Sequence, residues 1–192
     1  MKIISRHKIG LLGGTFDPPH KGHLHISREA LNILKLNRLY WSIANQNPLK
    51  KLKPKLTISQ RTLLSKKIIK KNKKILILKK NQFQKINYSI NEINFIKKLK
   101  KNTVLFFIIG ADNLIHFHKW KNYKTIIKKC IITVMHRPGY KAKALQSKMA
   151  KQCQKLKINL IQLKKNNFTE NRWIYLNTKG INLSSSMIRN SL

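Results

Sequence analysis

The sequence predicts an α/β fold: a doubly wound parallel sheet with helices on both faces, formed as one domain over residues 1–192. Short apolar runs alternate with segments of helical periodicity along the chain, the pattern of strands joined by helical crossovers. The strongest run, Thr103 to Ile109, is continuously apolar, as a strand covered on both faces should be. The third observation is positional. Stretches rich in glycine, histidine or serine follow the strand candidates, and open parallel sheets bind ligands beyond the carboxyl ends of their strands.

Taken in order, Lys8 to Leu12 is a short apolar run that reads as a buried strand, and His23 to Leu34 is amphipathic and reads as a helix. Leu39 to Ile43, with Tyr40 and Trp41, is the second strand. Asn45 to Thr57 is a polar loop broken by Pro48 and Pro54. Ser59 to Lys70 has apolar residues at 63, 64, 68 and 69 and reads as a helix, with Ser59 as the candidate N-cap. Ile75 to Leu78 is a third strand, and Tyr88-Ser89 leads into a helix through Leu99 whose Ile90, Ile93 and Ile96 share a face. After the run at 103–109, Cys130 to Met135 and Ile158 to Leu163 are two more strands, separated by a helix from about Ala142 to Gln154. Strands at this spacing need right-handed crossovers, so the sheet should be parallel and Rossmann-like.

The chain carries 42 Lys and Arg against 5 Asp and Glu, a formal charge of +37. A charge of that size suits polyanions. Yet the lysines are spread over the whole chain, and the few aromatic residues form no stacking platform, so no specific nucleic-acid interface is expected. The charge should instead raise affinity for anionic substrates and encourage non-specific RNA binding. The scarcity of acids makes the survivors informative: the only two aspartates, Asp17 and Asp112, each lie inside a motif. Cys130 and Cys153 lack metal-ligand spacing, so reduced thiols in a cytoplasm are expected. No apolar run reaches the roughly 20 residues that span a bilayer, and the N-terminus has no signal-peptide core. A soluble cytoplasmic protein without a membrane partner follows; the oligomeric state is left open.

The most informative stretch is Gly13-Gly-Thr-Phe-Asp-Pro-Pro-His-Lys-Gly-His-Leu24, between the first strand and the first helix. Gly13 and Gly14 allow a sharp turn and close approach of the backbone to a ligand. The helix N-terminus that follows offers free N–H groups and the positive end of a dipole, which suits a phosphate. His20 and His23 flank that end as further donors. The spacing of Gly10, Gly13 and Gly14 fits no dinucleotide fingerprint, and no Gly-Lys-Ser/Thr follows, so the two commoner phosphate loops are excluded. A metal cluster of His20, His23 and His25 competes, but positions 23 and 25 point to different sides of a helix.

Two further motifs carry polar chemistry. Gly110-Ala-Asp-Asn-Leu114 follows the strongest strand, and Asp112 there is either an N-cap carboxylate or an acceptor for a ribose or another polar substrate group. Trp120-Lys121 follows closely, with Trp120 a packing residue or a stacking surface. Near the end, Leu183-Ser-Ser-Ser-Met-Ile-Arg189 sets three hydroxyls at the start of a helical turn, with an arginine one turn on: a capped helix or a second anion site.

The element His20-x-Gly22-His23 resembles the signature of the nucleotidylyltransferase superfamily, and the longer stretch from Gly13 to Leu24 resembles bacterial nicotinate-nucleotide adenylyltransferases. Gly-x-Asp followed by Trp-Lys is similar to the same family, as is Ser184-Ser-Ser-Met-Ile-Arg189, with Ser186 where the family carries threonine. Asn47-Pro-Leu-Lys50, Tyr88-Ser89 and His136-Arg-Pro-Gly139 add weaker matches, so the resemblance runs from about residue 8 to 189. Asn91 departs from the family's usual aspartate, and the chain ends at Leu192 without the extra C-terminal helix of many relatives, which bears on oligomer contacts.

The resemblance implies transfer of AMP from ATP to nicotinate mononucleotide, giving pyrophosphate and deamido-NAD. It assigns Gly13, Gly14, Thr15, Phe16, His20, Gly22, His23, Ser184, Ser185, Ser186 and Arg189 to ATP, with His20, His23 and Arg189 as the catalytic set. It assigns Asn47, Lys50, Tyr88, Ser89, Asp112, Trp120 and Lys121 to the acceptor, with Trp120 stacking on the pyridine ring. Mg²⁺ is expected with the ATP, held by phosphate oxygens and water without a dedicated protein metal site. A phosphate monoester has its second pKa near 6, so the attacking group is already anionic at neutral pH and needs no general base. Nicotinamide mononucleotide, phosphopantetheine and flavin mononucleotide are the competing acceptors within the superfamily.

Overall fold

The computed structural model describes residues 7–47, 49, 52–79, 88–100, 102–165, 170–181 and 183–190. Its strands are β1 (His7–Gly14), β2 (Arg38–Ile43), β3 (Ile75–Ile77), β4 (Thr103–Gly110), β5 (Ile131–Met135), β6 (Lys157–Ile158) and β7 (Arg172–Leu176). They form one sheet in the order β3-β2-β1-β4-β5-β7-β6, with every neighbouring pair parallel. This is the doubly wound α/β arrangement that the alternation of apolar and helical segments predicts.

Side chains alternate across the sheet and feed two apolar layers. On one face Ile9, Leu11, Leu105, Phe107 and Ile109 meet α3 (Ser89–Leu99), α4 (Ala111–His116), α5 (Tyr123–Lys129), α6 (Lys141–Leu145) and α7 (Lys148–Gln152). On the other, Leu12, Val104, Phe106 and Ile108 meet α1 (Lys21–Ile33), α2 (Ile58–Ile69) and α8 (Leu160–Lys165). A ninth helix, α9 (Ser185–Asn190), follows β7. β1 is central: β2 and β3 extend from one side and β4 from the other. The chain therefore leaves the carboxyl ends of β1 and β4 toward opposite faces, and a crevice opens between them at this switch point.

Several local expectations are corrected. The strand expected at Ile158 to Leu163 is only Lys157–Ile158, because Asn159 and Gln162 exchange side-chain and backbone bonds of 2.8 and 2.9 Å and start α8 instead. Strand β7 was not anticipated, although Arg172-Trp-Ile-Tyr-Leu176 has the β-branched and aromatic content of one. The helix expected over 142–154 is broken in two, with Ser147 capping the second part through Ala150 N–H. Thr57, not Ser59, caps α2: its hydroxyl accepts from Gln60 N–H while the Gln60 side chain accepts from Thr57 N–H. The turn after β1 is made not by Gly13 and Gly14, which are the strand's last residues, but at Phe16, whose φ is 50°. Among the described residues no helix is long and apolar enough to cross a membrane.

Candidate active site

A cavity of about 670 Å³ lies at the carboxyl ends of β1, β2, β4 and β5. It brings together Gly13 to Phe16, His20, Gly22, His23, Asn47, Tyr88, Ser89, Asp112, Trp120, Lys121, Ser184 to Ser186 and Arg189. These residues come from five separate stretches of the sequence, and the volume is in the range of nucleotide-sized sites. Lys50 falls outside the described residues.

The histidine pair is built by the first turn of α1. His20 is the N-cap; its Nδ1 accepts Gly22 N–H at 3.1 Å, and His23 Nδ1 accepts His20 N–H at 3.3 Å. A nitrogen that accepts a backbone N–H carries no proton, so in each neutral ring the proton is on Nε2. The local hydrogen bonds thus leave each imidazole with one outward donor. Gly22 is required by the same geometry: a Cβ there would lie 2.8 Å from His20 Nδ1 and push the ring away. The ring of His23 is fixed between His20, 3.9 Å away between centroids, and Phe16, 4.6 Å away. Phe16 itself is buried and stacks on Trp41, so its side chain belongs to the core and only its backbone can serve a ligand.

Both histidines stay neutral at physiological pH. Burial, then the charge of Arg137, lowers His20 to about 4. Burial, His20 and Arg137, in that order, lower His23 to about 3. An unfolded histidine titrates near 6.5, so on acidification the unfolded chain takes up protons that the folded site refuses. Stability of the ligand-free protein should therefore fall as pH drops from about 6.5 toward about 4, within the window set by the lowered values. Thermal melts across that range check this. The double variant His20→Gln/His23→Gln should show a shallower decline, and an equally steep one would mean that other groups set the acid limit.

Asp17 ties the first motif to the last. It is 4% exposed, and its carboxylate accepts Lys55 N–H at 2.9 Å and Leu56 N–H at 3.0 Å. Arg189 donates to the Asp17 carbonyl, and the same guanidinium nitrogen stands 3.6 Å from the Asp17 carboxylate. Ser185 Oγ donates to Pro18 C=O at 2.9 Å, Ser186 Oγ accepts from Arg189, and Ser184 Oγ accepts Met187 N–H. The serine-arginine motif, some 170 residues distant in sequence, is thereby docked against the glycine-histidine loop.

Asp112 is not the N-cap, which is Gly110; its carboxylate accepts from Arg137 Nη1 at 2.6 Å. A Cβ at Gly110 would meet Asp112 Oδ1, so a side chain there would displace the carboxylate that Arg137 engages. Arg137 also lies over the Tyr140 ring at 5.3 Å, lines the cavity, and lowers both histidines. It is a site residue that the assignment above did not include. Its only signal was the match at His136-Arg-Pro-Gly139, which names the residue without its partner. Glu92 was missed as well: it is buried at the cavity wall and accepts from Ser42 Oγ at 2.6 Å. Tyr88, the N-cap residue of α3, receives Lys121 Nζ over its ring at 4.5 Å. Trp120 packs edge-on to Phe107 and tilted on Phe117. Tyr88, Ser89, Trp120 and Lys121 thus share one wall, while Asn47 Oδ1 caps the turn at Leu49 N–H.

Known proteins resemble this chain in sequence and in fold. A family model described as cytidylyltransferase-like matches residues 11–191. A probable nicotinate-nucleotide adenylyltransferase of Pelagibacter ubique is 44% identical over 182 residues, which is 95% of this chain and 92% of that protein. A probable nicotinate-nucleotide adenylyltransferase of a Ruegeria species is 35% identical over 143 residues, 74% of this chain and 75% of that one. Among solved structures, the nicotinic acid mononucleotide adenylyltransferase of Plasmodium falciparum, complexed with NaAD, superposes with a TM-score of 0.68 at 19% identity. The superposition covers 96% of this chain and 83% of that one, a likeness of fold.

Proposed function

The chain belongs to the nicotinate-nucleotide adenylyltransferase family, and from that premise we propose the reaction it performs. It transfers AMP from ATP to nicotinate mononucleotide, releasing pyrophosphate and forming the deamido dinucleotide of NAD biosynthesis. The transfer is direct and in line, without a covalent intermediate. The observation that carries this reading is the pair of neutral imidazoles, each with Nδ1 engaged by backbone and Nε2–H left as a donor in a cavity of nucleotide size.

Each part has a physical task. His20 and His23 donate to ATP phosphate oxygens, and a donor fixed by its own helix turn pays no reorganisation as charge builds on the transferring phosphoryl. Gly13, Gly14, Thr15 and the Phe16 backbone hold the nucleotide near the α-phosphate, with Ser184 to Ser186 along the phosphate tail. Arg189, Lys50 and Arg137 supply permanent positive charge. Trp120 stacks on the pyridine ring, Tyr88 and Ser89 hold its carboxylate through backbone N–H groups, and Asn47, Asp112 and Lys121 complete the acceptor side. The acceptor phosphate is its own nucleophile, since its second pKa is near 6. Mg²⁺ enters as part of the substrate, carried by ATP. Phosphate oxygens and water would hold that ion. The compartment is the cytoplasm, where Cys130 and Cys153 stay as the free thiols observed.

Pyrophosphate release from ATP and Mg²⁺ tests the reading, with nicotinate mononucleotide, nicotinamide mononucleotide, phosphopantetheine and flavin mononucleotide in parallel. Preference for the nicotinate substrate supports it. Activity with another acceptor alone keeps the phosphate site and discards the acceptor. Silence with all four, from folded protein, overturns both. Trp120→Ala should raise the KM for the pyridine nucleotide by about 10-fold or more with kcat changed less, on the scale of one lost base–aromatic stack. An unchanged KM would return Trp120 to a packing role.

A further inference from the structure

Arg61 is the most deeply buried charged side chain of the described residues, at 2% exposure, and it does not line the cavity. Burying a cation is costly unless its donors are satisfied. Four backbone carbonyls from three segments meet it: Nε donates to Leu56 C=O at 3.0 Å, Nη1 to Thr15 and Ala44 C=O at 2.6 Å each, and Nη2 to Asn45 C=O at 3.2 Å. Thr15 follows the last residue of β1, and Ala44 follows the last residue of β2. Where the ladder ends at the bond from Ala44 N–H to Gly14 C=O, the two chains part, and the guanidinium spans them.

We propose that Arg61 is a positioning residue, which turns backbone N–H groups of the two loops toward the nucleotides and sets the distance between those loops. The inference rests on the nucleotidyl-transfer reading above. In a trans peptide the C=O and the following N–H point in opposite directions. Drawing the Thr15 carbonyl toward α2 sends Phe16 N–H the other way, and drawing the Ala44 carbonyl does the same for Asn45 N–H. Thr15, Phe16 and Ala44 line the cavity, so the side away from Arg61 is the ligand side. One rigid fork thus orients donors on the glycine-rich loop and on the loop that carries Asn47. Direct transfer depends on the alignment of two bound anions, and misplacement of about 1 Å costs about 100-fold in rate. Lysine cannot replace the fork, because a single ammonium lacks the planar spacing that engages Thr15, Ala44 and Asn45 together.

Arg61→Lys and Arg61→Gln test this by steady-state kinetics with both nucleotides, beside circular dichroism melts. Arg61→Lys should fold and lose about 100-fold in kcat, with KM for ATP raised less than 10-fold, and Arg61→Gln should lose more. A kcat within about twofold of wild type in Arg61→Lys, with only the melting temperature lowered, would overturn the proposal. A measurement on the wild-type chain stands whether or not the variants fold. In ¹⁵N-labelled protein titrated with ATP, the amide resonances of Phe16 and Asn45 should move together, and both remaining still would overturn the proposal. A wild-type enzyme inactive with every acceptor would sink the reaction, while the amide titration reads the positioning role separately.

Discussion

Replacing His23 with alanine should lower kcat by about 100-fold or more, with a smaller change in KM for ATP. His20 caps α1, Gly22 leaves room for its ring, and His23 closes the turn by accepting His20 N–H, so that both Nε2–H donors are fixed before substrate arrives. A donor held in place stabilises charge that grows during transfer more than charge already present in bound ATP, so its loss appears in kcat. Alanine also removes the acceptor for His20 N–H and loosens the second ring. His23→Gln separates the two effects: its amide nitrogen approximates the Nε2 donor, and it should recover part of the rate. Because His20 and His23 are lowered to about 4 and about 3, they remain neutral above pH 5 in the free enzyme. The acid limb of kcat/KM should therefore lie near pH 6, from the acceptor phosphate, and persist in His23→Gln. Near-normal turnover in His23→Ala would remove the pair from the chemistry.

That pair was legible in the sequence because its geometry is local. A cap, a close-approach glycine and a second acceptor within one helical turn need no knowledge of the rest of the chain. The strands were legible for a similar reason: a run such as Thr103 to Ile109 is apolar at every position only when both faces of the sheet are covered. What escaped notice depends on distant partners. Asp112 and Arg137 are 25 residues apart, and Arg61 reaches Thr15 across 46. Neither pairing has a periodicity that a sequence can show. The short helix α5 escaped because seven residues cannot stand as a helix alone; it is held by Ile126 and Ile127 in the core, so its signal is tertiary. The strand assigned to Ile158–Leu163 failed differently. Its apolar residues fit either period, and the Asn159–Gln162 capping box decided for helix.

Asp17→Ala should cost about 3–5 kcal/mol of stability, a large part of what a domain of this size has, and should also raise the KM for ATP. The side chain is one of only five carboxylates in a chain of charge +37, and it is almost wholly buried. Alanine would strand two backbone N–H groups, at Lys55 and Leu56, and leave the Arg189 guanidinium without its carboxylate. The charge on Arg61, which Asp17 also supports against burial, would lose that counterweight. The consequences then reach the site from both ends. The 52–57 loop loosens where it meets Arg61 through Leu56, and α9 loses part of what docks Ser184 to Ser186 at the cavity. Asp17→Asn keeps one oxygen but turns a donor toward an N–H, so it should lie between wild type and alanine without restoring either property. Denaturant unfolding and steady-state kinetics read the two effects separately. A loss under about 1 kcal/mol in Asp17→Ala would mean that the loop is held by Arg61 alone, with Asp17 contributing only the net worth of a surface pair.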